Sequence, residues 1–125
     1  MSAPELKRIV LHLARTKEFP NGSYKHGYEF LAPLDASEHI DADAWHGLRE
    51  RCRVTRFWGG EQADIGHLLR RPGGSWAFHY DIAGDEDDEA GYRFGSHAFR
   101  QGEYVSIKDQ DGVLQPFIVY SVEEA

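Results

Sequence analysis

Cysteine is nearly absent from this 125-residue chain: Cys52 stands alone. An internal disulfide is therefore excluded, and a reducing compartment is favoured. Long apolar runs are missing as well. The stretch from Ile9 to Ala14 is interrupted by His12 and is too short for a signal segment or a membrane span. The expectation is a cytoplasmic chain with no membrane partner. Positive charge is in deficit, with 14 Lys and Arg against 21 Asp and Glu, a net charge of −7. Such a chain has no overall electrostatic drive toward DNA or RNA, so no nucleic-acid partner is expected. The seven histidines form no HxH or HExxH pattern, and one cysteine makes no CxxC pair. No cofactor is expected. No internal repeat and no linker divides the chain, which reads as a single domain over 1–125.

What is present is apolar and aromatic. Hydrophobic residues make up 41% of the chain, and three Trp, six Tyr and seven Phe carry large burying surfaces. That content excludes disorder over most of the length. Leu6 to Arg15 alternates with both faces mostly apolar, the pattern of a doubly covered strand. Asn21-Gly22 is a hairpin signal, and Tyr24 to Leu34 returns as a second strand. Asp41 is placed to cap the one convincing helix, expected over about 41–52, with Trp45 and Leu48 on its apolar stripe. Three further strands follow, separated by Gly59-Gly60 and Pro72-Gly73-Gly74, and read as an antiparallel meander. The third of these puts Trp76, Phe78 and Tyr80 on one face. A terminal hairpin turns at Asp109 to Gly112, and Pro116 marks its second strand as an edge or a bulge. The fold class is β-rich α+β: a small antiparallel barrel or sandwich of about seven strands carrying one short helix.

The negative charge is concentrated. Residues 81–125 hold 11 acidic and 3 basic residues, whereas the first 80 are near balance. Residues 81–91 (DIAGDEDDEAG) read as a solvated, mobile acidic loop. Asp85, Asp87 and Glu89 alternate as calcium ligands do. The sixth position of that frame is Ala90 rather than Gly, and the twelfth is Ser96 rather than Glu. An EF-hand is thus excluded, and only a looser cation site is left open. Arg49, Arg51, Arg53, Arg56, Arg70 and Arg71 form the basic counterpart, readable as an anion pocket or as partners of the acidic loop. Arg53 and Arg56 fall on opposite faces of a regular strand.

Three more features bear on function. His67 and His79 flank the Pro72-Gly73-Gly74 turn and are expected at one level, where Asp81 or His97 would complete a His–Asp or metal site. Cys52 sits among arginines, which would lower its pKa, although no base or oxyanion site is at hand; a buried, inert thiol is expected. Trp45, Trp58, Trp76, Phe78, Tyr80, Tyr92, Phe94 and Phe99 exceed the needs of one core layer, so some of them, Trp76 and Phe78 first, are candidates for a groove or a homodimer face as well as for the core.

Several stretches together resemble an uncharacterised family of small bacterial proteins. They are Glu18-Phe19-Pro20, His26-Gly27-Tyr28-Glu29-Phe30, Arg51-Cys52-Arg53-Val54, Arg56-Phe57-Trp58-Gly59-Gly60, Arg71-Pro72-Gly73-Gly74 and Gly102 to Ile107. The resemblance implies no activity and transfers no site residues. The expected function is a non-catalytic binding or interaction domain with an unidentified protein partner or a second copy of itself. A small enzyme built on the histidines, and a homodimer without a small ligand, are the alternatives.

Overall fold

The computed structural model describes residues 6–81, 88–109 and 111–125. Eight antiparallel strands pair in chain order and close into a barrel, β8 returning to β1. They are β1 Leu6–Leu13, β2 Ser23–Pro33, β3 Arg53–Trp58, β4 Asp64–Arg70, β5 Trp76–Tyr80, β6 Glu89–Tyr92, β7 Tyr104–Lys108 and β8 Leu114–Glu124. The alternative of a sandwich is thereby settled in favour of the barrel.

The strand beyond the expected seven is β6. Composition places Glu89, Ala90 and Gly91 in the acidic loop. They instead pair with β5 through Trp76↔Gly91 and Phe78↔Glu89, and with β7 through Gly91↔Ile107. The expected mobile loop is corrected at that end, and Ile82 to Asp87 lie outside the described residues. Pro116 is corrected as well, since a closed barrel has no edge. Its carbonyl accepts from the Ala14 amide. Its missing N–H faces the same way, at the point where β1 has already ended at Leu13.

The helix α1 spans Ala42–Leu48, and a single 3-10 turn carries the chain on over Arg49–Arg51. Asp41 caps it as expected, its side chain accepting from the Ala44 amide at 3.0 Å. The helix lies across one end of the barrel. Trp45 is buried there, donates from Nε1 to the Leu68 carbonyl at 2.9 Å and meets Trp76 edge-on at 5.3 Å. Phe94, in the 3-10 turn Phe94–Ser96, and Phe99 complete the plug. Phe30, Phe78, Phe94 and Phe99 form edge and tilted pairs 5.2–5.9 Å apart. Such pairs add about 0.5–1.5 kcal/mol each beyond buried area.

Inward positions fill the rest. Ile9, Leu11, Leu68, Val105, Ile107, Phe117 and Val119 are all buried, as an eight-stranded barrel without a lumen requires. The opposite end, closed by the β1–β2, β3–β4 and β7–β8 turns, differs in kind. At the last of these the Asp109 carboxylate accepts from the Asp111 and Val113 amides, and Gly112 takes φ +80.

Candidate functional site

That second end, the mouth, holds a polar cluster inside the barrel. Tyr28, Arg56, Tyr80 and Glu89 come from β2, β3, β5 and β6. The register sets Tyr28 opposite Arg56, and Tyr80 and Glu89 reach the same pair from β5 and β6. Glu89 is 1% exposed, the one charged residue among the described residues that is buried outright. The hydroxyls of Tyr28 and Tyr80 both donate to its Oε1, at 2.9 and 2.6 Å. Its Oε2 lies 3.6 Å from Arg56 Nε, too far for a good hydrogen bond. Arg56 Nε is itself buried without a hydrogen-bond partner among the described residues. The same guanidinium reaches Asp64 at 3.6 Å and lies 4.4 Å from the Trp58 ring centre.

Burial governs the titration of these groups. It pushes the Glu89 carboxyl up, against the opposing pull of the Tyr80 hydroxyl and the Arg56 charge. It also pushes both tyrosines up, with the Glu89 charge adding to it, so both hydroxyls stay protonated donors. For Arg56, burial opposes the charge, but Tyr28 and Glu89 outweigh it and the guanidinium stays cationic.

Trp58 connects this cluster to solvent. It forms one wall of a mouth pocket of about 180 Å³, with Leu13 and Phe19 as apolar companions and Thr16, Lys17, Glu18 and Gln115 as polar ones. His26 braces the wall: it meets Phe19 at 4.6 Å and Trp58 edge-on at 4.8 Å, and its Nδ1 is hydrogen-bonded to Ser23 Oγ at 2.7 Å. From outside inward the order is pocket, Trp58, Arg56, Glu89, and then the two tyrosines.

The residues singled out from the sequence fall into four places. Arg53, His67, His79 and Asp81 gather on the outer wall of β3–β5, where the register sets His67 opposite both Arg53 and His79. They form two chains rather than one cleft. Arg53 donates to His67 Nε2 at 3.3 Å and to Asp81 at 3.3 Å, and His67 Nδ1 lies 3.3 Å from Asp81. His79 Nδ1–H donates to Asp88 at 2.7 Å, and Arg71 donates to the other oxygen of Asp88 at 3.1 Å. His97 is remote from them, past the 3-10 turn at the helix end. Trp76 and Phe78 point inward and are core. Arg56 belongs to the mouth cluster, on the opposite face from Arg53.

Of the cation candidates, Asp85 and Asp87 lie outside the described residues, and Glu89 turns inward to the tyrosines. No group of three or more His, Cys, Asp or Glu able to hold a metal occurs among the described residues. Cys52 is buried as expected, but the expected lowering of its pKa is corrected: burial pushes the thiol up to about 11, outweighing Arg51.

Sequence reasoning passed over Tyr28, placed Trp58 and Tyr80 only in the general aromatic surplus, and misjudged Glu89. One signal was available. Tyr28 and Tyr80 share the inward phase with Phe30 and Phe78, and a buried phenol needs a hydrogen-bond partner. Compared with protein-family models, curated proteins and solved structures, the chain matches none.

Proposed function

We propose that this chain is a small, non-catalytic binding domain whose ligand enters the mouth pocket against Trp58 and is oriented by Arg56. The observation that carries the reading is the incompletely paired guanidinium: Arg56 does not line the pocket but backs its Trp58 wall at 4.4 Å from the ring centre, with its buried Nε unmatched among the described residues. A buried ion pair is poor support for stability, because apolar residues of similar volume commonly replace one at no loss. Its presence beneath the mouth pocket of a barrel otherwise filled with apolar side chains therefore favours a binding role.

The local charge narrows the ligand. Glu89 and Asp64 already supply carboxylates to Arg56. A further anion would be repelled, so a neutral planar ring bearing a carbonyl fits best, with the ring on Trp58 and Phe19. Benzamide and benzoate test this in a two-dimensional NMR titration. Benzamide is expected to shift the Trp58 indole N–H and the Gln115 side-chain amide saturably, benzoate more weakly, and Trp58→Leu is expected to abolish both responses. Benzamide that moves neither group saturably refutes the reading.

A second reading, a small enzyme with a His–Asp pair, is favoured by the 2.7 Å bond from His79 Nδ1 to Asp88. A carboxylate so placed orients an imidazole as a base. Hydrolysis of p-nitrophenyl acetate above the buffer rate and lost in His79→Asn supports it; a rate equal to buffer rejects it.

A further inference from the structure

At the plugged end, away from the mouth, a groove of about 480 Å³ runs between the β4–β5 turn and the chain leaving β6. Its sides are largely bare backbone. Gly73, Gly74 and Ser75 stand on one side, Gly95 and Ser96 on the other, and Trp76 lies at its base. Among the described residues, none that lines it is acidic. A side chain added at Gly73 would meet open space, and one at Gly95 would meet only the Trp76 indole nitrogen, at 3.8 Å. Peptide groups are therefore accessible along both sides, the use to which glycines are put where a ligand must approach backbone.

Two guanidiniums border the groove. Arg93 lines it, with the left-handed backbone φ 53, ψ 30, rare for a side-chain-bearing residue. Its side chain lies over the Tyr92 ring at 5.1 Å. Arg70 lies over Trp76 at 5.9 Å, and its NH2 group comes within 3.2 Å of where a Gly74 side chain would begin. Among the described residues neither side chain makes an ion pair or a hydrogen bond. By contrast, Arg8, Arg53, Arg56, Arg71 and Arg100 each reach a carboxylate. Arg15, Arg49 and Arg51 also lack an ion pair among the described residues, but in a chain of net charge −7 only Arg70 and Arg93 of these border this groove, whose described lining has no acidic residue.

We infer that this groove is a second binding site, taking a small soluble phosphate monoester. Arg93 and Arg70 would hold the phosphate oxygens through the planar guanidinium fork, whose geometry matches phosphate. The bare glycine backbone lets the anion approach closely, and the organic part lies over the half-exposed Tyr92 ring. The rim carries no other large exposed apolar side chain among the described residues, which favours a soluble ester over a lipid headgroup.

Phenyl phosphate is the probe, titrated into the full chain and followed by the well-separated glycine amides. Saturable shifts at Gly73, Gly74 and Gly95 are expected, with phenol giving none. Arg93→Gly removes the guanidinium and suits the left-handed backbone, so its melting temperature should not fall, yet its affinity should drop at least about tenfold. Arg70→Gln should weaken binding similarly. The inference is overturned by shifts that never saturate, by shifts confined to residues outside the groove, by unchanged affinity in both variants, or by phosphate binding only on vesicles containing phosphatidic acid.

Discussion

Removing the Glu89 carboxylate tests the account of the mouth most directly. In Glu89→Ala, the Tyr28 and Tyr80 hydroxyls lose their common acceptor while remaining buried. An unsatisfied buried hydroxyl costs about 1–3 kcal/mol. Two of them set a range of about 2–6 kcal/mol, to which the unbalanced Arg56 adds and from which any water entering the vacated space subtracts. A loss of about 3 kcal/mol is expected, roughly a 10 °C fall in melting temperature for a domain this size. Glu89→Gln keeps an oxygen for the tyrosines and fills the space, so a loss of at most about 1 kcal/mol is expected. The assay is equilibrium urea unfolding followed by tryptophan fluorescence, comparing midpoints at constant m-value. The contrast between the variants carries the test. If alanine costs no more than glutamine, the shared carboxylate is not what satisfies the tyrosines, and the reasoning fails.

Three further outcomes follow from the same structure. Because burial raises the Glu89 pKa above its ordinary 4.5, its folded form takes a proton more readily than its unfolded form. That contribution to stability is fully present below 4.5 and is lost as pH rises through the raised native value. Between about pH 4 and about pH 8 the stability of Glu89→Gln should therefore improve relative to the unsubstituted chain; an unchanged or reversed difference in urea midpoints contradicts the direction. A side chain at Gly66 would run into the His79 carbonyl on the paired strand. Gly66→Ala is expected to cost about 2 kcal/mol or more by forcing the β4 and β5 backbones apart, and an unchanged melting temperature would disprove the close approach. The Cys52 thiol, buried and raised to about 11, should resist iodoacetamide in the native state and react only on unfolding; rapid native labelling would contradict its burial.

Local chemistry made much of this architecture legible in the amino-acid order. Alternation along Leu6–Leu13 and Trp76–Tyr80 marked inward faces, because a strand's side-chain period of two is an intrinsic property of extended backbone. Asp41 capped its helix, and Asn21-Gly22 and Asp109–Gly112 turned the chain, because caps and tight turns are satisfied within a few residues. The level pairing of His67 with His79 followed from counting outward from one turn.

Tertiary structure decided what depended on distant partners. Glu89 sits in the most acidic stretch of the chain, and composition marks that stretch as solvated. Only closure of the barrel supplies two tyrosines and an arginine, from 61, 9 and 33 residues away, that let a carboxylate be buried there. The same holds for Cys52: neighbouring arginines in sequence argue for a reactive thiolate, yet the pKa follows desolvation, which is a property of the assembled core. Closure also removed the edge that Pro116 announced, because whether a strand has a neighbour is settled by the sheet and not by the strand. The amino-acid order determined the strands, the turns and the inward aromatic layer through local backbone physics. Which polar groups were buried together, and which arginines were left without a partner, was decided only when strands far apart in sequence came to share one interior.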